Sequence, residues 1–136
     1  METVEIEGTV HNLECNAWTP FVYSEEFTTK NAAGKVVPDD VNAAAYGIMT
    51  FTAENGISPM LPMLRFFWAF EKTATPKLPG FKAWLHELPA SVLDLTQEDG
   101  WSAVVTQLIK ENFFRATLDK DVEPAAEQAP AATPAD

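Results

Sequence analysis

Met60-Leu61-Pro62-Met63-Leu64-Arg65-Phe66-Phe67-Trp68-Ala69-Phe70 is the stretch that decides the fold. Arg65 is its one charge, so a helix at about 3.6 residues per turn sends apolar side chains out in every direction. Such a helix either lies at the centre of a core or feeds an interface. Most of these side chains read as core. Phe66 and Phe70, however, do not share a face with Leu64 and Trp68, and consecutive aromatics on opposing faces point to a second surface, either another protomer or a partner. Phe113-Phe114, at the end of the last helix, adds to that aromatic surface. Phe66, Phe67, Trp68, Phe70, Phe113 and Phe114 are therefore the candidate partner-binding residues.

Upstream, Ser58-Pro59 opens this helix, which reads to about Thr73; Pro62 is tolerated only near a helix start, so the regular part is expected from Leu61. Asn55-Gly56 is a helix stop. Before it, about Asp40 to Glu54, Val41, Ala44, Ala45, Ile48 and Thr52 form one helical stripe. Pro38-Asp39-Asp40 supplies that helix with a start and with negative charge where the dipole favours it. Asn31-Ala-Ala-Gly-Lys35 reads as a loop, and Thr19-Pro20 as the cap and first residue of a helix ending near Phe27. Thr3-Val-Glu-Ile-Glu7 alternates polar and apolar, Gly8-Thr9 offers a turn and Val10–Cys15 returns, giving a hairpin with Val4 and Ile6 on one face. Two strands alone are marginal in water, so the hairpin is expected to lie on helices.

Downstream, Pro76, Pro79 and Gly80 break the chain before a short helix, Phe81–Leu88, whose Phe81, Trp84, Leu85 and Leu88 share a face. The last helix places Trp101, Val104, Val105, Leu108, Ile109 and Phe113 on the i, i+3, i+4, i+7, i+8 template. Beyond Leu118 the segment 119–136 has no aromatic residue, three prolines and five acids against one lysine. Such a composition cannot offset the entropy of ordering, so it is expected to be a disordered acidic Ala/Pro tail. The expected fold is mainly α: one domain, residues 1–118, in which an N-terminal β-hairpin packs on a small bundle of about five helices.

Of 136 residues 46% are hydrophobic, enough for one core without staples. The single cysteine, Cys15, excludes an internal disulfide and reads as a small apolar core side chain. Neither a leader pattern at the start nor an apolar run of membrane-spanning length occurs, so the cytosol is the expected compartment. Nine cations against 20 acids give a net charge of −11, which repels phosphate backbones and anionic lipid and argues against nucleic-acid and membrane partners.

The residue patterns that carry chemistry are sparse. His11 and His86 have no metal-spaced partner, so no metal or cofactor is expected and both histidines read as structural. His11 and Cys15 share a strand face but lie too far apart for a nucleophile–base pair. Glu25/Glu26, Asp39/Asp40 and Glu98/Asp99 are adjacent acids, which a helix points about 100° apart rather than towards one substrate. No phosphate loop occurs among the glycines. A binding protein without catalysis is the expectation.

Several segments carry a family likeness: the opening hairpin, Tyr23-Ser-Glu-Glu-Phe27, Trp68-Ala-Phe-Glu-Lys-Thr-Ala74, Pro79-Gly-Phe-Lys-Ala-Trp-Leu85, the closing amphipathic helix and the acidic tail. In that order, over about Val4 to Phe114, the chain resembles the tail assembly chaperones of long-tailed bacteriophages and prophages. The resemblance implies a non-catalytic chaperone, made in the bacterial host cytoplasm, that escorts the helical tape measure protein and is absent from the finished particle. It also implies a longer form made by frameshifting near the end of the reading frame. A rival from another class is an acidic regulator that mimics DNA; it needs carboxylates spaced like phosphates along one face, whereas these acids cluster at helix starts and in the tail.

Overall fold

The structure, a computed structural model, describes residues 1–96 and 100–114. Glu98/Asp99 and the segment 119–136 lie outside the described residues. The elements run β1 (Glu2–Ile6), β2 (Thr9–Leu13), α1 (Thr19–Glu26), β3 (Thr28–Lys30), β4 (Val36–Pro38), α2 (Val41–Asn55), α3 (Met60–Ala74), α4 (Phe81–Glu87), a 3-10 turn (Ala90–Leu93) and α5 (Trp101–Phe113). The described part is mainly helical with an N-terminal hairpin, as expected.

The hairpin's register places Val4 opposite His11 and Ile6 opposite Thr9. Its turn is Glu7-Gly8, one residue earlier than the Gly8-Thr9 reading, with φ of 50° and 84° at the two residues. Positive φ at both central positions is what a type I′ turn needs to match strand twist. The shift moves the register by two residues and keeps the same face inward: Val4, His11 and Leu13 point to the core, and all three are buried.

A second hairpin, β3–β4, flanks the loop at 31–35 and was not legible as strands. The loop itself is tied by the Asn31 side chain, whose Oδ1 accepts from the Ala33 and Lys35 amides at 2.9 and 3.0 Å. Thr19 is not the cap of α1 but its first residue, after Trp18; it is fully buried, with its Oγ1 3.0 Å from Thr73 Oγ1 on α3. Asp40 caps α2 by accepting from the Asn42 amide (2.9 Å), and Gly56 closes that helix in the left-handed region at φ 74°.

α3 is the axle. It begins at Met60, one residue before the expected regular part, because Pro62 falls in the first turn, where an amide donor has no helical partner to lose. Its sides are covered by different elements. Phe66 packs on Tyr23 of α1 (5.1 Å between ring centroids) and on Phe113 of α5 (5.9 Å). Phe67 stacks on Trp101 of α5 and meets Trp84 of α4 edge-on, both at 5.1 Å. Trp68 meets Phe27 edge-on at 5.5 Å. The hairpin is tied to the remaining side, where the Glu14 amide donates to the Phe70 carbonyl (3.1 Å). The core-facing stripes expected on α2, α4 and α5 hold: Val41, Ala45, Ile48, Trp84, Trp101, Val105, Leu108 and Ile109 are buried.

Candidate functional site

The aromatic surface expected on α3 is not a surface. Phe66, Phe67, Trp68 and Phe70 are at most 2% exposed. This corrects their assignment as partner-binding residues: five elements surround α3, so its all-round apolarity is spent inside the fold. Phe113 and Phe114 are half-buried and pack against the same core.

Exposed apolar residues occur instead at α2 and just beyond its end. Ile57, in the connection to α3, and Leu61, in the first turn of α3, are 55% and 48% exposed, and Tyr46 and Phe51, on α2, are 66% and 41% exposed. Ala43, Gly47, Thr50 and Ala53 are exposed on the same helix, and Glu54 is the one charge in its fifteen residues. The inner stripe holds this helix to the core while its outer face stays nearly free of charge, on a chain of net charge −11. Acids stand at both ends, Asp39 and Asp40 before the first turn and Glu54 in the last. The signal was present in the sequence: a helix whose solvent face lacks charged residues. A second exposed pair, Trp18 and Phe21, lies at the start of α1 with ring centroids 4.6 Å apart and planes tilted by 32°.

The titratable groups that stand out are tied to neighbours. His11 is buried, with Nδ1 3.0 Å from Glu71 Oε1; a carboxylate only accepts, so Nδ1 donates. Trp84 Nε1 donates to the same oxygen at 2.9 Å. Cys15 is half-buried rather than fully buried; burial pushes its thiol up, opposed by a hydrogen bond with Thr19. The Tyr23 hydroxyl is pushed up to about 12, first by burial and then by the Asp39 carboxylate. Hydrogen bonds from Thr96 hold the exposed Asp94 carboxyl below its ordinary value. His86 is exposed on α4. Among the described residues no group of three or more His, Cys, Asp or Glu is placed to hold a metal ion, and no helix is long and apolar enough to cross a membrane.

No protein-family model, curated protein or solved structure matches the chain.

Proposed function

We propose that this chain is a non-catalytic binding protein of the tail assembly chaperone kind, which keeps a tape measure protein soluble by receiving its amphipathic helices on the outer face of α2. The observation that carries the reading is the charge-poor outer side of α2, with Tyr46 and Phe51 exposed on it and Ile57 and Leu61 exposed just beyond its end, on a strongly acidic chain. Fifteen helical residues span about 22 Å, room for about four turns of a client helix laid alongside. Asp39, Asp40 and Glu54 at the ends of α2 suit a client whose apolar face is flanked by basic residues. The net charge of −11 opposes self-aggregation of the free chaperone. Many weak copies along a long rod give avidity without a large interface in any one of them. The segment likeness to the phage family supports the identity of the client.

Co-expression with the tape measure protein of the same genome tests the reading. The wild-type chain is expected to raise client solubility and to co-purify with it, and a Tyr46→Glu/Phe51→Glu double variant to lose both while keeping its helical circular dichroism. No gain with the wild-type chain, or full activity of the double variant, overturns it.

A further inference from the structure

On the side of the core where the first hairpin meets α4, a cleft of about 440 Å3 runs past the hairpin tip. Its volume is in the range of small-ligand sites. Ile6, Leu78, Leu88 and Pro89 give it apolar walls, Trp84 an aromatic one, and Glu7 and Glu87 carry carboxylates at its exposed margin. His11 and Glu71 complete the lining.

Glu71 decides what the cleft accepts. Its residue is 8% exposed, and both of its N–H donors, from His11 and Trp84, converge on Oε1. Oε2 has no hydrogen-bond partner among the described residues. Among the described residues the ion-pair partner of this carboxylate is His11, and no lysine or arginine pairs with it: Lys72, the next residue, gives its ammonium to the Leu78 carbonyl, and the Arg65 guanidinium lies over the Phe27 ring. A buried carboxylate is costly unless a cation or a full set of donors compensates it. Here one oxygen is held rigidly and the other is left for a visitor.

We infer that this cleft binds an organic cation, an alkylguanidinium or primary alkylammonium group, with the charged head on Glu71 Oε2 and the stem between Trp84 and the apolar walls. A guanidinium matches a carboxylate edge and the face of an indole, and it sheds water more readily than an ammonium. The margin carboxylates and the chain's net charge both draw a cation in. The apolar and aromatic walls select an alkyl stem over a bare metal ion, which takes hard oxygen ligands in number. The inference does not rest on the chaperone reading, since this cleft and the α2 face are different surfaces.

The test is a titration of the full chain with butylguanidinium chloride at constant ionic strength, followed on the indole Nε1–H resonance of Trp84. A saturable shift is expected, with a dissociation constant on the order of 1 mM for so few heavy atoms. Glu71→Gln is expected to abolish saturation. If that variant does not fold, Glu87→Gln carries the comparison, with affinity expected to fall about threefold. A non-saturating shift, an equal response to butanol or to calcium chloride, or unchanged binding in the folded variants overturns the site. A second arm uses an arginine-bearing helical peptide and its glutamine analogue. Binding of the arginine peptide at least tenfold tighter than butylguanidinium makes a protein side chain the source of the cation, and equal binding a free amine; either supports the site.

Discussion

Phe67 lies fully buried between the indoles of Trp84 and Trp101, with the His11 ring edge-on at 5.4 Å. Removing its ring leaves a cavity that three rigid aromatic neighbours cannot collapse into. Phe67→Ala is therefore expected to cost about 3–5 kcal/mol, read from urea unfolding; a loss under about 1 kcal/mol places the ring outside the core. Tyr23 titrates from a buried position, and its proton is held more tightly in the folded chain, with the hydroxyl at about 12 against an ordinary 10.0. The folded state then binds more protons than the unfolded one between those values. Stability is intact below pH 10 and falls as pH rises through the interval to 12. Tyr23→Phe should flatten that part of an alkaline denaturation curve, and an unchanged curve excludes Tyr23 as its source.

At the scale of elements, α2 and α3 exchange the roles their sequences suggest. α3 carries four of the fifteen aromatic residues and buries all four, because β2, α1, α2, α4 and α5 cover it. α2, rich in alanine, buries a narrow stripe and turns Tyr46 and Phe51 to solvent. The Tyr46→Glu/Phe51→Glu variant is accordingly expected to melt within about 4 °C of the wild type, since surface substitutions act within about 0.5 kcal/mol each. A fall of 10 °C or more shows that the face is packed. The stop of α2 is a backbone matter: Gly56 sits at φ 74°, and a Cβ there meets nothing within 4 Å. Gly56→Ala should cost about 1 kcal/mol through the left-handed conformation alone, and a neutral effect in thermal melts refutes that cause.

Over the whole molecule, the first hairpin is held to the bundle by polar links far apart in sequence. His11 reaches Glu71, and Glu7 Oε2 accepts from Ser91 Oγ at 2.6 Å. His11→Ala removes a donor from a buried carboxylate and is expected to cost about 1–3 kcal/mol. Hydrogen exchange should then show β1 and β2 opening before α3 and α5; uniform loss of protection shows that the hairpin is no separate unit. The segment 119–136 lies outside the described residues, and the expectation for it is compositional. Truncation after Leu118 should leave the melting temperature unchanged, whereas a large drop shows that the segment contributes to the fold.

What the sequence by itself determined is the set of helices and their inner faces. The stripes on α2, α4 and α5, the stop at Gly56 and the opening hairpin follow from local periodicity and backbone preference, which act within a few residues. β3 and β4 escaped because three residues each are too short for alternation to show. Tertiary structure alone decided which faces stay uncovered. Whether Phe66 and Trp68 meet solvent or protein depends on elements up to some fifty residues away, such as Thr19–Glu26 and Trp101–Phe113. The same holds for the cleft, where His11, Glu71 and Trp84 converge from a strand and two helices. Its carboxylate is invisible in sequence because its meaning comes from the donors that packing brings to one of its oxygens and withholds from the other.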